Sequence, residues 1–114
     1  MGTDATGTKK LGNYQGVYVY DASNNTVGGS TAGASNVISD NDGSGVSIYG
    51  DDATGNRILS NSIFSNGGLG IDLGDDGPTA NDPGDTDTGP NDLQNKPVLT
   101  SARTESLKTT IRDR

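Results

Sequence analysis

The chain has 114 residues, a formal net charge of −7 and 28% hydrophobic residues. This composition lies close to that of disordered chains, and it excludes coiled coils and helical bundles, which need far more Leu, Ala, Glu and Lys. The sequence contains no Cys and no His, which excludes disulfides, thiolate chemistry, His-containing catalytic triads and His-ligated zinc.

Acidic charge is concentrated in one zone of the sequence. Residues 1–69 carry six Asp against three basic residues, whereas residues 70–95 carry seven Asp and no basic residue. The overall acidic balance predicts that the chain does not bind nucleic acid, since phosphate groups need clustered Lys and Arg. No apolar run approaches the ~20 residues that span a bilayer, so no membrane span is predicted.

A short pattern with alternating apolar residues occurs three times along the chain. The copies are GVYVY at 16–20, GVSIY at 45–49 and GIDLG at 70–74. In the first copy Val17 and Val19 fall on one side and Tyr18 and Tyr20 on the other. This is the two-residue period of a β-strand.

Two longer stretches repeat with an offset of 25 residues. Residues 36–48 and 61–73 correspond at Asn36/Asn61, Ile38/Ile63, Asn41/Asn66, Gly43/Gly68, Gly45/Gly70, Val46/Ile71 and Ile48/Leu73. A further pair is Asn25-Thr-Val27 with Asn56-Arg-Ile58. Short strands that recur in this way, joined by Asn, Gly, Asp and Ser, predict an all-β parallel solenoid in which coil stacks on coil.

The stacked arrangement assigns roles to two sets of side chains. Asn residues at the corners are predicted to form ladders that satisfy backbone groups in the turns, with Asn36 over Asn61 and Asn41 over Asn66. Ten apolar residues are predicted to point inward as the core: Val17, Val19, Val27, Ile38, Val46, Ile48, Ile58, Ile63, Ile71 and Leu73.

Four sequence segments, taken in order, cover most of the chain. They are GTDATGTKKLGN (2–13), NNTVGGSTAGASNVISDN (24–41), GVSIYGDDATGNRILSNSIFSNGGLGIDLGDDG (45–77) and NDPGDTDTGPNDLQNKPVLTSA (81–102). Together they resemble right-handed parallel β-helix repeat proteins, which share the pectin-lyase-like shape and occur as large bacterial secreted or surface proteins. The resemblance implies a right-handed parallel β-helix of two to three coils and an extracellular or cell-surface location.

The resemblance and the charge zones together divide the chain into three parts. Residues 1–73 are predicted to form the β-helix coils, and residues 74–95 an irregular acidic loop rich in Gly, Asp and Pro. Residues 96–114 are predicted to be a linker or the truncated start of a following domain. Neighbouring coils of a longer protein, or self-association, are expected to cover the ends of the stack.

The acidic loop contains a candidate calcium site. Asp85 and Asp87 alternate ahead of Gly89, and this arrangement lets carboxylate and backbone oxygens wrap around a hard cation. The alternative is a solvated linker whose carboxylates repel one another. Calcium is therefore the one cofactor that the sequence suggests, with Asp85 and Asp87 as its candidate ligands.

Tyr20 and Tyr49 occupy equivalent outward positions in neighbouring coils. Stacked at one coil spacing, they are a candidate platform for a sugar ring, which makes a carbohydrate or a cell surface the candidate partner. The alternative is a plain side-chain ladder that stabilises the sheet by about 0.5–1.5 kcal/mol per pair.

No catalytic residue is assigned. In β-helix lyases and hydrolases, as the resemblance implies, clustered carboxylates or calcium act with a basic residue on the outer face. The residues here that imitate such a set are Asp51, Asp52, Arg57 and Asp72. The sequence therefore favours a non-catalytic structural or display segment. The alternative is part of a polysaccharide lyase or hydrolase whose catalytic coils lie outside this chain.

Overall fold

The computed structural model describes residues 1–105 and 108–113, and in this part the chain is all-β. The strands are β1 (Val17–Tyr20), β2 (Thr26–Gly28), β3 (Val37–Ser39), β4 (Val46–Tyr49), β5 (Arg57–Leu59), β6 (Ser62–Phe64), β7 (Ile71–Leu73), β8 (Leu99–Glu105) and β9 (Lys108–Asp113). A short turn at Pro90–Leu93 is not a regular helix, because Asn91 and Asp92 have φ angles of 46° and 52°.

The first seven strands form three short parallel sheets. Sheet 1 contains β1, β4 and β7, sheet 2 contains β2 and β5, and sheet 3 contains β3 and β6. The chain passes through the three sheets in the same order twice and then returns to sheet 1. Each strand therefore lies beside the strand that repeats its sequence.

The strand register confirms the pairings that the sequence repeats predict. The aligned sets are Val17/Val46/Ile71, Tyr18/Ser47/Asp72, Val19/Ile48/Leu73, Tyr20/Tyr49, Val27/Ile58 and Ile38/Ile63. The offset between paired strands is therefore the length of one circuit through the three sheets. It is 25 residues from β3 to β6 and from β4 to β7, 29 from β1 to β4 and 31 from β2 to β5.

The core is narrow, with one or two inward side chains from each strand. Ile38, Val46, Ile48 and Ala53 are fully buried. Six more of the predicted core residues are half-buried against them: Val17, Val19, Val27, Ile58, Ile63 and Leu73. The prediction for Ile71 is wrong, because its side chain is 44% exposed on the outermost strand of sheet 1. So small a core explains how a chain with few apolar residues forms ordered strands.

Glycine opens each strand of sheet 1 because neighbouring circuits approach closely there. A Cβ on Gly45 would lie 2.7 Å from the carbonyl oxygen of Gly70, and one on Gly16 would lie 2.7 Å from that of Gly45. Any larger residue at Gly16 or Gly45 would force the backbones apart, so stacking requires Gly at these two positions. A Cβ on Gly70 would lie 3.5 Å from a methyl group of Ile63, which is an ordinary contact.

The chain begins beside sheet 3 and makes a turn, closed by a bridge between Thr3 and Lys10, before it enters β1. The backbone N–H of Ser39 donates to the carbonyl oxygen of Met1 at 3.0 Å, so Met1 lies beside β3. The next turn is organised by Asp4, whose carboxylate accepts a hydrogen bond from the Thr6 hydroxyl at 2.7 Å. That hydroxyl, together with backbone N–H groups, lowers the pKa of the Asp4 carboxyl.

The acidic segment, residues 74–95, runs across the apolar end of the stacked strands. A cavity of about 400 Å³ separates the two, with Ile58 and Leu73 on the strand side and Pro78 and Leu93 among the residues opposite. Beyond it, β8 and β9 pair as an antiparallel hairpin within the segment predicted to be a linker or the start of a domain. Residues 106, 107 and 114 of that prediction lie outside the described residues.

Candidate functional site

Asparagine ladders join each circuit of the chain to the next. In the first, the backbone N–H and the Nδ2 of Asn41 both donate to Oδ1 of Asn66, at 3.1 and 2.9 Å. The backbone N–H of Asn13 donates in the same way to Oδ1 of Asn41 at 3.1 Å. Asn66 donates from its own Nδ2 to the carbonyl oxygen of Ile38 at 3.1 Å. Asn41 is only 1% exposed, so this ladder satisfies polar groups within the protein interior.

A second ladder runs through Asn25, Asn56 and Asn91. The backbone N–H and Nδ2 of Asn25 donate to Oδ1 of Asn56, both at 3.0 Å. Asn56 repeats the pattern: its backbone N–H donates to Oδ1 of Asn91 at 3.0 Å. Asn91 donates from Nδ2 to the carbonyl oxygen of Asn56 at 2.8 Å, and from its backbone N–H to that of Ala53 at 2.8 Å. The acidic segment therefore ends as a rung of this ladder.

The third ladder pairs Asn36 with Asn61. The backbone N–H and Nδ2 of Asn36 donate to Oδ1 of Asn61 at 3.0 and 3.1 Å, and Asn61 donates to the carbonyl oxygen of Val27 at 2.9 Å. Both predicted ladders, Asn36 with Asn61 and Asn41 with Asn66, are thus confirmed.

The role of Asn91 was missed from the sequence. The signal was the triplet Asn91-Asp-Leu93, which repeats the Asn-x-apolar pattern of Asn25-Thr-Val27 and Asn56-Arg-Ile58. Its larger spacing from the previous copy, 35 residues against 31, concealed it.

An exposed tyrosine face, defined here as Tyr18, Tyr20 and Tyr49, covers part of sheet 1. The Tyr20 and Tyr49 rings are stacked, with centroids 5.6 Å apart and planes at 14°. Tyr18 lies 6.3 Å from Tyr20 with its ring tilted by 35°. The three side chains are between 45% and 59% exposed. The two candidate platform residues therefore meet as predicted, and Tyr18 enlarges the surface that they form.

A polar network lies beside the tyrosine face. Nε2 of Gln15 donates to Oδ1 of Asp75 at 2.7 Å and contacts the Ser47 hydroxyl oxygen at 3.0 Å. The Ser47 hydroxyl donates to the same Asp75 oxygen at 3.1 Å. Tyr18 is next to Ser47 in the register. Partial burial, and after it the charge of Asp75, raises the pKa of the Tyr18 phenol above its ordinary value of 10.0.

Asp72 is the buried acid of sheet 1. It lies beside Ser47 in the strand register and is 5% exposed. Its Oδ2 accepts a hydrogen bond from the backbone N–H of Gly77 at 3.0 Å. Its Oδ1 is buried and has no hydrogen-bond partner among residues 1–105 and 108–113. A carboxylate oxygen in that position is costly unless something else compensates its charge.

The four residues that imitate a catalytic set are not assembled on one sheet. Asp51 and Asp52 lie in the exposed turn after β4, Arg57 begins β5 in sheet 2, and Asp72 is on β7 in sheet 1.

The acidic segment is held together by its own polar contacts. Oδ2 of Asp82 accepts hydrogen bonds from the backbone N–H and the hydroxyl of Thr86, at 2.9 and 3.0 Å. Oδ1 of Asp85 accepts one from the backbone N–H of Asn95 at 3.0 Å. Within the described part of the chain, no three acidic side chains converge as a metal site. Calcium binding by Asp85 and Asp87 stays a prediction.

Comparison with protein-family models, curated proteins and solved structures finds no match for this chain. Among the described residues, no helix has the length and apolar character that crossing a membrane requires. The functional argument therefore depends on the ladders, the tyrosine face and the polar network beside it.

Proposed function

We propose that this chain is a non-catalytic structural and display segment of a right-handed parallel β-helix in an extracellular or bacterial surface protein. The observation that carries the proposal is the set of asparagine ladders in register with the stacked strands. The neutral Asn side chains use their hydrogen-bond donors and acceptor to bind the neighbouring circuit. They stiffen the stack and supply no acid–base chemistry. The extracellular or surface location is proposed from the resemblance of the four sequence segments to β-helix repeat proteins.

The edge of sheet 1 supports extension of the stack. β7 is an edge strand, and Ile71 on it exposes nearly half of its apolar side chain. A further parallel strand would pair with the backbone of β7 and cover Ile71. Further coils, or a second copy of this chain, are the partners for this edge. Because Pro78 and Leu93 of the acidic segment line the same cavity as Ile71, such a partner would have to displace that segment to pair with β7.

The tyrosine face is the proposed contact surface of the segment. Aromatic rings pack against the C–H faces of sugar rings, and the nearby Gln15 amide and Asp75 carboxylate can hydrogen-bond sugar hydroxyls. The Asp75 side chain is exposed, and its Oδ1 lies 2.7 Å from Nε2 of Gln15. Both groups are therefore close enough to contact one bound sugar. We propose a glycan of a cell surface as the partner.

The placement of Arg57 and Asp72 in different sheets favours the non-catalytic assignment. A lyase or hydrolase needs its carboxylates and basic residue around one bond of the substrate. An assay for new reducing ends or unsaturated products on polygalacturonate, with and without calcium, separates the two functions. The display function predicts no product above a buffer control, and steady product formation would contradict it.

The structural role is tested by adding one circuit. A second copy of residues 41–65 is inserted directly after residue 65, which preserves the 25-residue spacing on both sides of the insertion. Stability in stacked repeats rises with the number of interfaces, so the melting temperature should increase. Small-angle scattering should show a particle longer by about 4.8 Å, one strand spacing.

The matched control carries a scrambled insertion of the same composition at the same point. It should behave as a flexible loop and lower the melting temperature. If the true copy destabilises the protein as much as the scrambled one, the chain does not stack as a β-helix and the proposal fails.

A further inference from the structure

The polar network beside the tyrosine face contains a buried oxygen that needs a partner. Oδ1 of Asp72 accepts no hydrogen bond from the described residues, and the residue is only 5% exposed. The other oxygen of the same carboxylate already accepts the Gly77 N–H. An ionised carboxylate half satisfied in this way costs free energy, which a bound cation would recover.

Further oxygen ligands lie around Asp72 on the same side of sheet 1. Ser47 is fully buried and is its direct neighbour in the register, so the hydroxyl and the carboxylate project from adjacent strands. Asp75 approaches the same hydroxyl to 3.1 Å, and Gln15 binds both Ser47 and Asp75. Gln15, Ser47 and Asp75 are thus hydrogen-bonded to one another across long stretches of sequence, and Asp72 lies beside Ser47 in the strand register.

We propose that Asp72 and Asp75, with Ser47, bind a calcium ion between sheet 1 and the start of the acidic segment, and that Gln15 positions Ser47 and Asp75 by donating hydrogen bonds from Nε2 to both. The proposal goes beyond the structural and display role, and the site differs from the Asp85 and Asp87 pair. Its unpartnered buried oxygen is the observation that the sequence-predicted pair lacks, since Asp85 is exposed and its Oδ1 already accepts a hydrogen bond.

The chemistry favours calcium over other cations. All the side chains offered are hard oxygen donors, which excludes thiophilic metals. Calcium accepts irregular sets of six to eight oxygens, whereas magnesium demands near-octahedral geometry and keeps its waters. Two carboxylates supply only two negative charges to the ion. The Kd for calcium should therefore lie in the range of weak extracellular modules, about 10⁻⁴–10⁻³ M.

Terbium luminescence tests the site, because terbium replaces calcium and is excited through nearby tyrosines. The full chain is titrated with terbium and then competed with calcium. Wild-type protein should show saturable emission that calcium displaces. Asp72→Asn should raise the apparent Kd at least about tenfold, since it removes the central charge. The double variant Asp85→Asn/Asp87→Asn should bind like the wild type.

Two controls keep the proposal falsifiable. Far-ultraviolet circular dichroism checks that Asp72→Asn folds; if it does not, Asp75→Asn replaces it, because this exposed residue can lose its charge without burying an unpaired group. Tyr18→Phe should lower the sensitised emission more than Tyr14→Phe does, with no change in Kd. Absence of saturable binding, wild-type affinity in the folded variant tested, or weakening only in the Asp85/Asp87 double variant would overturn the site.

Discussion

Asn56 donates its backbone N–H to Oδ1 of Asn91 at 3.0 Å, across 35 residues of sequence. In return, Nδ2 of Asn91 donates a hydrogen bond to the carbonyl oxygen of Asn56 at 2.8 Å. These two bonds anchor the end of the acidic segment to the ladder that starts at Asn25. They also hold Leu93 opposite the apolar end of the core, where it lines the cavity with Ile58 and Leu73. A segment rich in carboxylates thus covers the apolar end of the stack.

Replacing Asn91 should therefore destabilise the stacked strands and not only the acidic segment. Asn91→Ala removes the acceptor of the Asn56 N–H and leaves that donor unsatisfied, at a cost of about 1–3 kcal/mol. Urea unfolding followed by circular dichroism measures the loss. Thr88→Ala, an exposed change in the same segment, should stay within about 0.5 kcal/mol. Equal midpoints for the two variants would show that Asn91 is not a structural rung.

The contrast between Ile48 and Ile71 tests where the core ends. Ile48→Ala empties a fully buried position and should cost about 2–5 kcal/mol. Ile71→Ala changes a side chain that is 44% exposed and should cost far less. Thermal melts measure the loss of stability in both variants, and the comparison is direct because each variant carries the same Ile→Ala change. A larger loss at Ile71 would mean that self-association buries this residue in solution.

Alkaline pH should weaken the protein through Tyr18. Burial and then the charge of Asp75 raise the pKa of this phenol above 10.0, so the folded chain holds the proton more tightly than the unfolded chain does. The resulting stabilisation is complete below the unfolded pKa and is lost as the pH rises through the raised folded pKa. Tyr18→Phe should flatten this loss above about pH 10, whereas Tyr14→Phe should not. Unfolding free energies measured from pH 8 to 11 provide the comparison.

The tyrosine face should govern binding to carbohydrate. Tyr20→Ala removes one ring of the stacked pair, and Tyr49→Ala removes the other, so either change should lower retention in affinity electrophoresis through cell-surface polysaccharides. Tyr14 lies outside this face and is more exposed than any of its three members, which makes Tyr14→Ala the matched control. Retention that falls equally in all three variants, or in none, would remove the face as a contact surface.

The repeats made most of the strand pairing predictable. The 25-residue offset placed Ile38 over Ile63 and Val46 over Ile71, and the register has both pairs. The Tyr20 and Tyr49 stack followed from the alignment of GVYVY with GVSIY, which are 29 residues apart. Prediction failed at Ile71, because a repeat pattern shows which way a side chain points and not whether another layer covers it. It also overlooked Asn91, since an irregular insertion changed the spacing.

What the sequence determined by itself was local and periodic: short strands, Asn at the corners, Gly at the close approaches, and an acidic zone that follows the last repeat. The tertiary structure alone decided which groups outside the repeats meet. Gln15 reaches Asp75 across 60 residues, and Asp72 loses its solvent because the chain turns back at Gly77. Periodicity predicts contacts between equivalent positions of the repeats. The contacts of Gln15 with Asp75 and of Asp72 with Gly77 join positions that are not equivalent. They depend on how the irregular segments pack, which only the folded chain specifies.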